Sequence, residues 1–178
     1  MPTGDIVEDL DRWLAATRAD AAAESRARER WLRQQAQEEA TLAGLLLDLA
    51  EREQEVVVQT AGGRRHGGLV RAVADDFLAL RTGDGTDLLL RYDGVVAVRP
   101  KGRSPGPGDR PRALDVTFAE AALALAAERP RIRLGTRDGQ AVAGELRSAG
   151  IDVLTVRLDG DAGAAYVPIT AVAELMLA

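Results

Sequence analysis

Residues 55–98 contain the pattern that decides the fold, and they read EVVVQTAGGRRHGGLVRAVADDFLALRTGDGTDLLLRYDGVVAV. Short runs of β-branched and aliphatic residues alternate with turns rich in glycine, which is typical of antiparallel strands joined by hairpins. We predict five strands, at residues 55–60, 68–73, 77–81, 87–92 and 95–98. Gly94 separates the last two strands at a sharp corner.

The same pattern occurs a second time in the chain. Residues 42–102 align with residues 118–178 without a gap, and the identical residues lie at turns, in strands and in the helix that precedes the first strand. Gly68 aligns with Gly144 at the start of a strand, and Asp76 aligns with Asp152 at a turn. Such self-similarity indicates a duplicated structural unit. The second copy therefore predicts a second set of five short strands.

Each copy is expected to begin with a helix. Thr117 and Glu120 have the spacing of a capping box, after which an alanine-rich helix runs to Glu128. Residues 100–112 carry four prolines and three glycines, so we predict that this stretch joins neither a sheet nor a helix. The predicted organisation has four parts: an N-terminal helical arm (1–41), a first repeat (42–100), a linker (101–113) and a second repeat (114–178).

These repeats resemble the Sm-like family of small β-barrels (the LSm and Hfq type), which share an SH3-like fold. The matching residues are Val56, Val58, Gly63, Gly68, Val70, Asp76, Leu78 and Leu80, and in the second copy Ile132, Leu134, Gly139, Gly144, Leu146, Asp152, Leu154 and Val156. The resemblance implies an α+β protein with two tandem five-stranded antiparallel barrels, each preceded by a helix. It also implies barrels that join through their fourth and fifth strands, and RNA as a class of partner.

The arm consists mainly of strong helix formers between residues 5 and 52. One interpretation is a single straight helix of about 70 Å, at ~1.5 Å per residue, with Trp13 and Trp31 on one side. The other is a helical hairpin that bends near residues 18–25. A helix of that length cannot pack entirely on a small barrel, so the arm predicts self-association or a protein partner.

No residue pattern predicts catalysis, a metal site or a cofactor. The chain has no cysteine, and His66 is its one histidine. His66 lies in a polar, glycine-rich stretch with no carboxylate nearby in sequence, so we expect an exposed turn residue. The N-terminus lacks an apolar leader and no apolar run is long enough to span a bilayer, so we expect a cytoplasmic protein. Because no catalytic pattern is present, we also expect that the protein is not an enzyme.

The candidate nucleic-acid-binding residues are basic: Arg64, Arg65, His66, Arg71 and Arg147. Arginines at alternating strand positions can form a stripe for phosphate groups. The competing interpretation is a solvated strand face balanced by acidic residues, since the chain carries a net charge of −5. We therefore expect a non-enzymatic interaction or assembly module that forms a homo-oligomer. The alternative is an RNA-binding regulator that uses the arginine-lined face.

Overall fold

The computed structural model describes residues 25–26, 28–32, 34–35, 41–102, 112–160 and 163–178. The chain divides into two compact units, Met1–Thr41 and Leu42–Ala178. In the first unit, the described residues between 25 and 35 are helical. Trp13, and with it the choice between a straight arm and a hairpin, lies outside the described residues.

Both repeats belong to the second unit, which is α+β. The first repeat comprises α1 (Leu42–Glu51), β1 (Val56–Thr60), β2 (Arg65–Val73), β3 (Phe77–Thr82), β4 (Asp87–Arg91), a 3-10 turn (Tyr92–Gly94) and β5 (Val95–Pro100). A short strand β6 (Arg112–Ala113) follows. The second repeat comprises α2 (Phe118–Ala126), β7 (Arg131–Thr136), β8 (Ala141–Ala149), β9 (Val153–Leu158), β10 (Ala164–Pro168), a 3-10 turn (Ile169–Ala171) and β11 (Val172–Leu177). The five predicted strands of each copy are confirmed, with shifts of a few residues at their ends.

The strands form one antiparallel open sheet that runs through both repeats. Its order is β10-β9-β8-β7-β11-β4-β3-β2-β1-β5, so each repeat uses the same internal order and β11 of the second repeat pairs with β4 of the first. Within the described residues, β5 and β10 stand at the two ends of this order. The sheet is therefore a head-to-tail joining of two equivalent units.

The equivalence of the repeats extends to single hydrogen bonds. Tyr92 N–H donates to the Asp76 carbonyl in the first repeat, and Ile169 N–H donates to the Asp152 carbonyl in the second (2.9 and 2.7 Å). The alignment without a gap is wrong after the hairpin between the third and fourth strands. That hairpin has one residue more in the second repeat (159–163 against 83–86), so β4 and β10 match only when one residue is inserted.

The prediction that residues 100–112 stay out of the sheet is also wrong at both ends. Pro100 is the last residue of β5, and Arg112–Ala113 pairs in parallel with Ala72 and Val73 of β2. Proline at a strand end is tolerated because its missing N–H is not needed there. Residues 103–111 lie outside the described part of the chain.

The apolar side chains form two cores, one for each repeat. Leu46 of α1 packs with strand residues such as Val58 and Leu80 in the first core. The second core gathers around Phe118 of α2 and includes Phe77 from the first repeat. The two aromatic rings meet edge to face, with their centroids 6.1 Å apart. The second core therefore extends across the boundary between the repeats. The capping box at Thr117 and Glu120 is confirmed, because each side chain accepts a backbone N–H of the other residue.

Candidate functional site

The junction between β4 and β11 is where the two repeats meet. Three residue pairs define its register, of which Leu89 opposite Leu175 is the central one. Leu175 is fully buried, whereas Leu89 is half-buried and packs against the second core. The junction thus combines backbone pairing with burial of aliphatic side chains.

A buried carboxylate, Glu174, ties the junction to the first repeat. Its Oε2 lies 2.7 Å from His66 Nε2, and its Oε1 lies 2.8 Å from Arg64 Nε. Arg64 also donates from Nη2 to the Gln140 carbonyl, at 3.2 Å. Burial by itself raises the pKa of Glu174, but the hydrogen bond with His66 and the charges of His66 and Arg64 outweigh it and bring the pKa below its ordinary value.

The space for this cluster exists because residue 135 is glycine. A Cβ at Gly135 would collide with the Arg64 guanidinium and would lie 2.5 Å from Glu174 Cγ. Gly135 pairs with Glu174 across β7 and β11, so any side chain here would push the carboxylate away from its partners. The glycine is required by this close approach.

A second polar cluster surrounds Arg91, a buried residue at the end of β4. Arg91 Nη1 donates to the Ile169 carbonyl at 2.6 Å, and its Nη2 lies 2.9 Å from Asp93. Its guanidinium also stacks over the Phe118 ring, 5.7 Å from the centroid. Asp93 makes a further ion pair with Arg137 of the second repeat. Both clusters therefore join charged groups across the two repeats.

The segment that leads into α2 covers the turn between β2 and β3 of the first repeat. Leu114 N–H donates to the Val73 carbonyl, and Asp75 N–H donates to the Val116 carbonyl (2.9 and 3.2 Å). The Asp76 carboxylate accepts the N–H of Phe118 at 2.6 Å. Asp76 thus accepts an N–H of the first turn of the next repeat's helix, which ties that helix to the first repeat.

The five predicted nucleic-acid-binding residues do not gather on one face. Arg64 and His66 both contact Glu174. Arg65, the first residue of β2, lies between them in the chain and is exposed. Arg147 is on β8, with its guanidinium 3.3 Å from Glu145. Arg71, half-buried on β2, lines an open groove of about 690 Å³ together with Arg81, Lys101, Glu53 and Glu55.

The expectation that His66 is an exposed turn residue is wrong. His66 lies in β2 opposite Val58, and its side chain is largely buried. Its partner Glu174 comes from the other repeat, so no local pattern could have placed them together. One signal was present in the sequence: Glu174 is a lone charge in an apolar strand, which is typical of a buried, paired group.

No group of three or more histidine, aspartate or glutamate side chains is arranged to hold a metal ion among the described residues. In the same part of the chain, every helix is too short or too polar to cross a membrane. Comparison with known protein families and with curated proteins gave no match to this chain.

Proposed function

We propose that the protein is a non-enzymatic assembly module whose copies join head to tail, β10 of one copy to β5 of the next. Each such contact would pair its strands in the register of the β4–β11 junction, which joins the two repeats of one chain. The strand order within each repeat and the helix before it support an Sm-like barrel as the building unit. Because the two pairing edges differ, each added copy covers one free edge and brings another of the same kind, so the assembly closes as a ring or grows as a filament.

The difference in burial between β5 and β11 is the observation that carries this proposal. Val96 of β5 is 63% exposed, whereas its equivalent Ala173 of β11 is 1% exposed. The same holds at the other edge, where Tyr166 of β10 is 73% exposed and its equivalent Leu89 is half-buried in the junction. Exposed apolar side chains on an unpaired strand edge favour pairing with another chain.

The charged residues of the junction are replaced by uncharged residues at the equivalent positions on both free edges. The equivalents of Glu174 and His66 are Ala97 on the first-repeat edge and Val142 in the second repeat. A copy that paired through these edges would place an apolar residue where the junction has an acid, and another where the junction has its basic partner. At these two positions no uncompensated charge would be buried, and burying one is the main electrostatic cost of such an interface.

The second cross-repeat ion pair follows the same rule. The equivalents of Arg137 and Asp93 are Ala61 and Thr170, which are both uncharged. In each ion pair, both the acidic and the basic member are replaced at the equivalent positions. This is what two surfaces that contact each other need, because losing only one member would leave a charge without its partner. It also separates the two kinds of contact, because an edge with a buried acid would not accept an apolar partner.

Prolines limit the pairing to the length seen inside the chain. Pro100 ends β5 and Pro168 ends β10. The junction has three residue pairs, and the equivalent pairs between copies are Arg99 with Ala165, Val98 with Tyr166, and Ala97 with Val167. Both prolines fall outside these three pairs. They therefore stop longer pairing without blocking this register.

RNA binding has weaker support, because two of the arginines expected to hold phosphate, Arg64 and Arg147, lie against carboxylates. Arg64 is committed to Glu174 and Arg147 lies beside Glu145. Free phosphate-binding cations would be needed for the salt-dependent affinity that RNA binders show. We therefore place assembly first.

The experiment that tests the proposal is the molar mass of the purified protein by light scattering and sedimentation, compared with Tyr166→Lys and Val96→Lys. We expect an oligomer for the natural chain and a monomer for both variants, because Val96→Lys buries a lysine in the new junction and Tyr166→Lys replaces an apolar contact there with a charge. Ala143→Lys is the control, since it puts the same charge on an exposed position of the interior strand β8, away from both edges. A natural chain that stays monomeric, or an oligomer that survives both edge variants, would overturn the proposal. Single-stranded RNA titrated into the same samples would reveal salt-sensitive binding if the alternative were correct.

A further inference from the structure

Gln59 of β1 carries a side chain at a position where the internal junction has none. Its equivalent in the second repeat is Gly135, which lies opposite Glu174 of β11. Gln59 itself lies opposite Ala97 of β5. A Cβ at Gly135 would collide with the Arg64 guanidinium and would lie 2.5 Å from Glu174 Cγ. The half-buried Gln59 side chain makes no hydrogen bond to the described residues. An unpaired amide thus stands beside the free edge, in the place that charged groups fill in the internal junction.

We propose that the side-chain amide of Gln59 in one copy hydrogen-bonds with that of Gln140 in the next copy. Gln140 is the equivalent of Arg64, since it precedes β8 as Arg64 precedes β2. It is exposed, and its side-chain amide has no partner among the described residues. The proposal rests on the head-to-tail assembly above and names the contact that selects the two edges for each other. An amide both donates and accepts, so two glutamines can satisfy each other without a charge.

The direction of the Arg64 side chain indicates where the two amides would meet. Arg64 reaches into the second repeat, where its Nε lies 2.8 Å from Glu174 Oε1 and its Nη2 donates to the Gln140 carbonyl at 3.2 Å. Its guanidinium occupies the place where a Cβ at Gly135 would stand. A side chain at position 64 therefore ends where a side chain at position 135 would begin. In the register of this junction, Gln140 of the copy that contributes β10 would point at Gln59 of the copy that contributes β5.

The space at this contact is balanced between the two partners. Ala97 has no Cγ, so it lacks the atom of Glu174 that excludes a side chain at position 135. Gln140 is shorter than Arg64, so it lacks the guanidinium that excludes the same side chain. The first change lies in the copy that contains Gln59, and the second lies in the neighbouring copy. A larger residue on one partner thus meets a smaller one on the other, as a well-packed contact requires.

The turns beside this contact would be spaced more widely between copies than within the chain. Gly62 lies so close to the turn of the second repeat that a Cβ there would be 2.8 Å from the Thr136 carbonyl oxygen. Its equivalent is Asp138, whose carboxylate accepts the Thr136 hydroxyl and the Gln140 N–H. The Asp138 side chain requires a wider gap between the turns of neighbouring copies. That gap gives a second side chain room beside Gln140, whereas Arg64 alone fills the narrower gap of the internal junction.

The first test places charges at the two glutamines. Gln59→Glu with Gln140→Glu, and Gln59→Lys with Gln140→Lys, bring like charges together at every junction. We expect both to weaken association roughly tenfold or more, measured by light scattering over a range of protein concentrations. Gln59→Glu with Gln140→Lys brings opposite charges together at the same two positions, and should recover most of the lost affinity.

A second pair of positions controls for net charge. Ala143 of β8 and Ala124 of α2 are both exposed and lie away from the two edge strands. Ala143→Glu with Ala124→Glu changes the charge of the chain as the first like-charge variant does. It should assemble as the natural chain does.

Leucine substitutions test the hydrogen bond itself. Gln59→Leu and Gln140→Leu each leave one amide without a partner in a closed contact, so each should weaken association roughly fivefold to tenfold. The double variant removes both amides and should recover most of this loss, because no polar group is then left unpaired. Losses that simply add in the double variant would show that the two glutamines do not meet.

The outcomes separate this inference from the proposed function. A natural chain that is monomeric would overturn both. An oligomer that Tyr166→Lys dissociates, but that assembles equally well with like or opposite charges at the two glutamines, would overturn the glutamine contact alone. An opposite-charge variant that stays as dissociated as the like-charge variants would overturn it too, because the two charges would then not meet.

Discussion

The Glu174 cluster makes a prediction that single and combined substitutions can separate. Glu174→Ala leaves Arg64 and His66 without their carboxylate in a largely enclosed site: the side chains of Glu174 and His66 are 6% and 10% exposed, and that of Arg64 is 25% exposed. Removing one partner of a fully buried pair costs about 3–5 kcal/mol. Because water reaches part of Arg64, we expect Glu174→Ala to lower the free energy of unfolding by about 3 kcal/mol, at the low end of that range.

A triple variant removes the partners as well. Arg64→Gln, His66→Val and Glu174→Ala copy the residues that stand at the equivalent positions elsewhere in the chain, Gln140, Val142 and Ala97. When donors and acceptor disappear together, no buried charge is left unpaired, and only the loss of packing volume remains. We expect the triple variant to recover about 2 of the 3 kcal/mol lost by Glu174→Ala.

The assay is urea unfolding followed by circular dichroism at neutral pH and 0.15 M salt. It is run in a Tyr166→Lys background, so that stability does not depend on protein concentration. A triple variant as unstable as Glu174→Ala, or a single variant that loses less than ~0.5 kcal/mol, would refute the assignment of Glu174 as a paired charge that holds the two repeats together.

Three further predictions concern the junction and its surroundings. Gly135→Ala should destabilise the protein by about 1–3 kcal/mol, because its methyl group would displace the Arg64–Glu174 pair; equal stability by urea unfolding would contradict this. Tyr92→Phe should cost about 1 kcal/mol through loss of the hydrogen bond from its hydroxyl to the Ala74 carbonyl, and the natural Tyr92, whose pKa burial raises to about 12, should stay protonated up to pH 11 in an absorbance titration. The pKa of Glu174 is lowered in the folded state, so its contribution is complete above the ordinary glutamate value of about 4.3 and is lost as the pH falls through the folded pKa. The difference in the free energy of unfolding between the natural chain and Glu174→Gln should therefore become smaller as the pH is lowered from 5 to 3. A difference that stayed constant would contradict a lowered pKa of Glu174 in the folded state.

Much of each repeat could be predicted from the sequence because its determinants are local. Alternating aliphatic residues and glycine turns gave the strands, and the Thr117–Glu120 spacing gave the start of α2. The duplication was visible for the same reason, since both copies need glycine at the same close approaches, as at Gly68 and Gly144. The inserted residue could not be predicted because it lies in a hairpin loop, where a change in loop length disturbs the strands little.

The junction could not be predicted from local patterns. Glu174 and His66 are 108 residues apart, and they meet only because β11, which pairs with β7 of its own repeat, also pairs with β4 of the first repeat. Strand pairing over such distances depends on the topology of the whole sheet, and the spacing of apolar residues along one strand does not show which distant strand it pairs with. Arg64 and Arg147 lie in different repeats and pair with different carboxylates, Glu174 and Glu145, so they do not form the predicted stripe.

Amide hydrogen exchange at the two edge strands is the most direct test of head-to-tail pairing. Directly after β5, the Lys101 N–H donates to the carbonyl of Glu55, the residue before β1. Because N–H groups alternate along a strand, the Val98 N–H points to the free edge. The account predicts that the N–H groups of Val98 and Tyr166 are protected in the assembled protein and exchange freely in the Tyr166→Lys or Val96→Lys monomer. An oligomer in which both amides exchange as fast as in the monomer would contradict the account, because its copies would be joined by some other surface.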